Sequence, residues 1–204
     1  MKKAFIIFTV LVLCIGSLFA GYYESGDTEF SFRAGVTVPA LQYFPFRTEN
    51  KIFVLGGIND EIPALHMSKI GGFGSLTYQV FLSKQFMLGG EAGYNFVKSS
   101  EDLYLAVIPF TAKFSYVPVQ NGKFDLNLHA NAGVALLKYK SHRFFPAPYI
   151  SASVNPVFFI TDNWGIGAET GFWSALEFYT AQERKDYNCV TAAIPLTLTV
   201  TYRH

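Results

Sequence analysis

Hydrophobic and polar residues alternate along most of this 204-residue chain. In the closing stretch IPLTLTVTYRH, residues 194–204, apolar side chains hold the even positions and Pro, Thr and Arg hold the odd ones. Successive side chains of a β-strand point to opposite faces, so this pattern predicts a strand with one apolar face. The alternation recurs in eight segments, which are 28–39, 70–82, 86–96, 103–117, 124–137, 149–160, 164–173 and 190–203. We therefore predict an all-β protein of eight strands.

The connections between these segments alternate in length. Short turns rich in turn-forming residues occupy 83–85, 118–123 and 161–163. Longer loops occupy about 40–69, 97–102, 138–148 and 174–189. Short turns at one end and long loops at the other are the layout of an antiparallel up-and-down barrel that crosses an outer membrane. An even number of strands then places both termini at the short-turn end.

The position of charged residues predicts which solvent each face meets. No even-numbered position of the eight segments is Asp, Glu, Lys or Arg. The charged residues that we identify on the odd face are Arg33, Glu91, Lys113, Asp125, Glu169 and Arg203. A soluble lipocalin-like barrel, with its apolar face inward, is the alternative, but its outer face would carry more charge than this. A narrow interior suits a balanced set of charges that can pair, so we expect the even face to meet lipid.

Aromatic residues on the even face support this assignment. They gather toward the strand ends, with Phe86 and Tyr202 at the short-turn end and Tyr94 and Phe172 at the long-loop end. Aromatic girdles that flank an aliphatic band are typical of a bilayer-spanning barrel. The composition agrees, because 17% of the residues are aromatic and only 15% are charged, against about 25% charged in soluble domains.

The first twenty residues predict a secretory signal peptide. Lys2 and Lys3 precede an apolar run at 4–15, and small Ala20 marks the expected cleavage site. Lipidation at Cys14 is the less favoured alternative, because bulky residues precede this cysteine. We therefore expect a signal peptide at 1–20 and one barrel domain at 21–204. The mature chain keeps only Cys189, so it forms no intramolecular disulfide.

The signal peptide, the eight alternating strands and the closing strand resemble the small outer membrane barrels of the OmpA-barrel, OmpX and OmpW group. In that family the last strand usually ends in Phe and is recognised by the barrel-assembly machinery. Tyr202 matches the aromatic residue expected two places earlier, whereas His204 departs from the pattern at the final position. The divergence is similar to that of spirochaete outer membrane proteins. The resemblance implies location in the bacterial outer membrane, with lipid and the assembly machinery as partners.

The sequence predicts neither catalysis nor a bound metal or organic cofactor. His66, His129, His142 and His204 lack the spacing of metal ligands. We expect His129 to join an interior network with Asp125 and Asn131. Lipid A deacylases with this fold need a lipid-facing His and Ser, and the even face of the segments has neither. No basic patch indicates nucleic-acid binding.

Two functions remain open at this point. The inward apolar residues near the long loops are Phe73, Leu105, Val107 and Trp173, and they are predicted to line a hydrophobic pocket. The resemblance to OmpW-like barrels then implies a narrow conduit for small hydrophobic molecules that leave sideways into the membrane. The alternative is a sealed barrel whose loops contact host or neighbouring molecules, as a structural or adhesive protein. The six interior charges are expected to pair and hold the barrel shut, with an ion or proton path as the alternative.

Overall fold

The computed structural model describes residues 23–46, 52–54, 67–99, 104–139, 144–178 and 188–204. Nine antiparallel strands run through these residues: β1 (Thr28–Tyr43), β2 (Ile52–Val54), β3 (Met67–Phe81), β4 (Phe86–Ser99), β5 (Tyr104–Gln120), β6 (Phe124–Tyr139), β7 (Phe145–Phe159), β8 (Trp164–Glu177) and β9 (Cys189–Arg203). Each long strand pairs with its neighbours in chain order, and β1 also pairs with β9. The sheet therefore closes into an eight-stranded barrel, while the short β2 pairs with the end of β1.

The predicted all-β barrel of eight strands is confirmed, with longer strands than predicted at the long-loop end. β1 continues to Tyr43, β8 continues to Glu177, and β7 begins at Phe145. Outward positions there include Lys98 and Lys138, so the apolar alternation fades before the backbone ladder ends. The short β2 was not predicted. It lies inside the segment that we expected to be a loop.

The even-numbered face is the outer face of the barrel. Leu198 is 70% exposed because its outward neighbours on β1 and β8 are Ala34 and Ala168, while the adjacent Thr199 is fully buried. Among the described residues, no helix is long and apolar enough to cross a membrane. The exposed apolar face and the buried polar face together fit a sheet surrounded by lipid.

β-bulges reverse the facing rule locally on three strands. β3 has two irregularities, between Met67 and Lys69 and between Lys69 and Gly72, and the odd-numbered Lys69 is exposed there. β1 carries one extra residue, Ala40, between Pro39 and Leu41, so Gln42 points inward and Tyr43 points outward. β5 has a similar irregularity between Tyr116 and Val119, after which Gln120 faces the interior. A bulge inserts one residue into one strand only, which shifts the period of two by one position.

Prolines coincide with further gaps in the ladders. Pairing skips two residues of each strand at Pro109 between β4 and β5, at Pro156 between β7 and β8, and at Pro195 between β8 and β9. Proline has no N–H group to donate, so a ladder bond is lost wherever it lies within a sheet. β8 is consequently bordered by a gap on each side.

Candidate functional site in the barrel interior

The middle of the interior holds a four-membered charge cluster, which we call the medial cluster. Arg33 on β1 forms ion pairs with Glu91 on β4 and with Glu169 on β8. The Lys113 Nζ atom on β5 lies 3.4 Å from Glu91 Oε2. None of the four residues is more than 6% exposed. Two cations and two anions thus join four strands across the barrel, and their charges balance.

Polar side chains from other strands complete the medial cluster. The Arg33 Nε donates to Ser75 Oγ at 2.9 Å, and Ser153 Oγ donates to Glu169 Oε1 at 2.6 Å. The Asn131 Nδ2 donates to Glu91 Oε2 at 2.9 Å. Buried charges are tolerated only when they are paired and hydrogen-bonded. All four charges are paired, and hydrogen bonds reach Arg33, Glu91 and Glu169, although Glu169 Oε2 has no hydrogen-bond partner.

His129 lies at the edge of the medial cluster, and the partners expected for it were wrong. Its Nδ1 atom is 2.7 Å from Ser115 Oγ, and its Nε2 atom is 3.8 Å from Glu169 Oε2. Asp125, which was expected to contact His129, is turned toward the short-turn end and pairs there with Arg203. Asn131 is directed to Glu91 instead.

A second charge cluster, which we call the basal cluster, closes the short-turn end. Arg203 on β9 donates from Nε to Glu29 Oε2 at 2.5 Å and also pairs with Asp125 on β6. Three aromatic rings surround its guanidinium group, with ring centroids 4.5–5.4 Å from the guanidinium carbon: Tyr23, Phe81 and Phe159. Burial raises the pKa of the Tyr23 phenol, and the nearby guanidinium partly offsets this effect.

An apolar cluster packs in the long-loop half of the interior, next to buried polar residues such as Asn95 and Glu177. Of the four predicted pocket residues, Leu105, Val107 and Trp173 are fully buried within it. It also includes Val97, Ala135, Leu137, Ala147, Tyr149, Ala175 and Ala193. The Tyr149 and Trp173 rings stack with centroids 6.0 Å apart. The fourth residue, Phe73, is buried outside this cluster, with its ring centroid 5.2 Å from the guanidinium carbon of Arg33.

The six predicted interior charges therefore divide between two separate clusters. Arg33, Glu91, Lys113 and Glu169 meet in the medial cluster, whereas Asp125 and Arg203 meet in the basal cluster. Sequence reasoning overlooked Glu29, although its odd position in the first segment was a sufficient signal. It also overlooked Glu177, which is 3% exposed and lies beyond the predicted end of its strand.

The chemistry available in this interior is ion pairing and packing. Among the described residues, no group of three His, Cys, Asp or Glu side chains is placed to hold a metal ion. The described ranges do not include His66, His142 or the first twenty residues, so the predicted signal peptide and those loop histidines lie outside them.

A closed barrel with a lipid-facing apolar surface and a paired, charged interior defines a transmembrane β-barrel of the outer membrane class. A family model that bears a spirochaete name matches residues 16–202, and the chain belongs to that family. The predicted membership among small eight-stranded outer membrane barrels is thereby confirmed. A search of curated proteins finds no match to the sequence.

Solved structures of small barrels resemble this fold. The Neisserial surface protein A (NspA) matches with a TM-score of 0.53 and 10% identity, over 87% of this chain and 97% of its own. Ail, the attachment invasion locus protein of Yersinia pestis, matches with a TM-score of 0.48 and 12% identity, over 88% and 99%. The outer membrane protein AlkL matches with a TM-score of 0.43 and 12% identity, over 89% and 92%. The likeness to NspA shows the barrel fold alone.

Proposed function

We propose that this protein is a sealed outer membrane barrel that acts at the cell surface, as a structural or adhesive protein, through the segments at its long-loop end. The observation that carries the proposal is the filled interior. Trp173 is fully buried in the apolar cluster, and Arg33 below it bridges Glu91 and Glu169. An eight-stranded barrel has an interior just wide enough to be filled by side chains.

Opening a path through this interior requires the medial cluster to separate and the apolar cluster to move aside. Removing one partner of a buried ion pair costs roughly 3–5 kcal/mol, and here Arg33 has two carboxylate partners. The apolar cluster above it would also have to be displaced toward the loops. This energy barrier would oppose conduction through the barrel. The same interior contacts would make the barrel a rigid scaffold for its loops.

Planar-bilayer recording on the refolded mature chain tests the seal. The native protein is expected to give no steady ionic current, while the double variant Lys113→Ala/Trp173→Ala, which removes two large interior side chains, is expected to leak. Steady current through the native protein would contradict the seal.

An adhesion assay tests the proposed action at the cell surface. Vesicles that carry the protein are expected to adhere to epithelial monolayers. Protease treatment of the vesicles should abolish adhesion, and equal adhesion of protein-free vesicles would contradict the surface role.

A hydrophobic conduit is the second candidate, and the β7–β8 seam favours it. Pairing between these strands ends at Tyr149 and Ala175, although β7 still pairs with β6 as far as Phe145 and β8 with β9 as far as Glu177. Pro146 and Pro148 occupy the unpaired part of β7. This unpaired stretch, which we call the notch, lies beside Tyr149 and Trp173. Both residues are buried, so a conduit would require the strands to separate here and bring the apolar cluster into contact with lipid.

Uptake of a fluorescent apolar solute into liposomes distinguishes this candidate from the first. The variant Pro148→Cys/Leu176→Cys, in a Cys189→Ser background, places two thiols across the notch. A conduit predicts uptake that stops on oxidation and returns on reduction. Uptake equal to that of protein-free liposomes would leave the sealed barrel as the function.

A further inference from the structure

The long-loop end of the barrel carries lysines on one side of its outer surface. Lys69 on β3, Lys98 on β4 and Lys138 on β6 lie at the ends of their strands, and none of them points into the interior. On β7, β8, β9 and β1 the described outward residues at this height are uncharged: Phe144, Pro146, Ser174, Leu176, Phe178, Val190, Ala192 and Tyr43. The outward surface is therefore basic over β3–β6 and neutral over the rest of the described rim.

Aromatic rings hold two of these lysines against the outer surface. The Lys98 Nζ atom lies 5.9 Å from the centre of the Phe96 ring, and the Lys138 Nζ atom lies 5.0 Å from that of Phe144. Phe96 in turn lies against Tyr94, with ring centroids 6.1 Å apart. Such rings mark the level where a bilayer passes from acyl chains to headgroups. The two ammonium groups accordingly sit at headgroup height.

The strand register places the two lysines on either side of one aromatic residue. Lys98 is opposite Tyr104 on β5, and Lys138 is opposite Ala106, two residues further along the same strand. Two strand spacings and this offset put their Cα atoms about 12 Å apart. When their ammonium groups turn away from Phe96 and Phe144, the two lysine side chains are long enough to meet at a single anionic group above Tyr104, which is exposed and has a hydroxyl group to donate.

We propose that Lys98, Tyr104 and Lys138 form a binding site for the phosphate-bearing headgroup of a lipid in the outer leaflet. An anionic headgroup satisfies both ammonium groups, while its acyl chains lie on the apolar face below. The short-turn end does not share this character, because Asp27, Lys123 and Asp162 mix both signs there. The proposal concerns the outer wall and is independent of whether the interior conducts.

Quenching by brominated lipid tests the site on the full mature chain in vesicles. The reporter is Leu136→Trp in a Trp164→Phe background. It lies two residues from Lys138 on the lipid face, and the remaining Trp173 is buried. The measured quantity is the ratio of quenching by brominated phosphatidylglycerol to quenching by brominated phosphatidylcholine. We expect this ratio to be about threefold higher in the reporter protein than in the same protein carrying Lys98→Gln/Lys138→Gln. The control Lys84→Gln, an exposed lysine at the short-turn end, should keep the full preference.

Each outcome decides the proposal. Loss of the preference in the double variant alone supports it. No preference in the parent, or a preference that survives in the double variant, overturns it. Adding inorganic phosphate to the vesicles distinguishes a lipid phosphate from a soluble phosphate as the bound group. A preference unaffected by millimolar phosphate supports a lipid site, whereas its disappearance assigns the lysines to soluble anions and overturns a lipid site.

Discussion

Arg203, the residue before the last in the chain, pairs with Glu29 at the start of the first strand. The two residues are direct partners in the β1–β9 ladder, and the Nε atom lies 2.5 Å from Oε2. Their contact therefore lies across the seam at which the sheet closes into a barrel. Asp125 on β6 contacts the same guanidinium from the opposite wall.

Replacement of Glu29 by Gln tests this contact. Arg203 keeps Asp125, so we expect a loss of about 2 kcal/mol in the free energy of unfolding, less than the roughly 3–5 kcal/mol for a pair with no second partner. Glu29→Gln/Asp125→Asn should cost more than the two single changes together, because both carboxylates of the basal cluster are then lost. Urea titration in lipid vesicles measures each value. Glu24→Gln, at an exposed position, is the control, and strict additivity would contradict the shared contact.

Leu198→Arg tests the lipid face. Leu198 is 70% exposed and lies four residues from the aromatic Tyr202, within the aliphatic part of the outer wall. A charged side chain there should cost roughly 2–4 kcal/mol of folding free energy in lipid, with the higher value nearer the midplane. Leu198→Met should be nearly neutral in the same titration. Equal effects of the two changes would mean that position 198 does not meet hydrocarbon.

Trp173→Ala tests how tightly the apolar cluster is packed. Removing a fully buried indole should cost about 3–5 kcal/mol, because the stacked Tyr149 and its neighbours would border a cavity. Trp173→Phe keeps most of the volume and should cost less. A loss below about 1 kcal/mol for the alanine variant would instead indicate that the indole already borders open space.

Two adjacent glycines on β4 offer a matched pair of substitutions. A Cβ atom at Gly89 would lie 2.6 Å from Gln79 Cα and would overlap the Tyr78 carbonyl oxygen, whereas at Gly90 the nearest atom is 3.7 Å away. We expect Gly89→Ala to cost about 1–3 kcal/mol by overpacking against a backbone that cannot withdraw. Gly90→Ala should be neutral or slightly stabilising, because it only reduces the freedom of the unfolded chain. Equal effects would contradict the close approach of β3 to β4.

The Cys189 thiol reports on closure at the long-loop end. It points inward at the start of β9 and is 2% exposed. A charged maleimide should modify it at least about tenfold more slowly in the folded barrel than in urea, since reaction depends on opening of the structure. Mass spectrometry of timed samples measures both rates. Similar rates in the two states would show that solvent reaches this part of the interior.

The sequence was sufficient to predict the barrel because lipid imposes a strict rule on one face. Any charge on the outer wall is costly, so the period of two remains visible in every long strand. Residues such as Lys98 and Lys138 lie above the hydrocarbon, where that rule relaxes. The predicted strands therefore stopped before them, although the backbone ladder continues.

The division of the interior charges could not be predicted in the same way. Alternation shows that Asp125 and Lys113 point inward, but their height in the barrel depends on the register between strands. Register here depends on turn lengths, proline gaps and the bulges on β1, β3 and β5, none of which changes the composition of a face. Sequence alone therefore identified six of the interior charges, missed Glu29, and left the partners of all of them unresolved.

The bulge at Ala40 exchanges the inward and outward positions of β1, because it adds one residue to an alternation with a period of two. Up to Pro39, even residues of β1 face lipid. From Leu41 onward, odd residues do, so Tyr43 lies outside and Gln42 lies inside. Deleting Ala40 would remove the bulge and leave Gln42 inside, because Pro39, Leu41 and Gln42 already pair with the consecutive residues Ala193, Ala192 and Thr191. Deleting one residue on either side of the bulge should instead turn the side chains beyond it to the opposite face, so tolerance to a single deletion in this strand should depend on whether the bulge residue is the one removed.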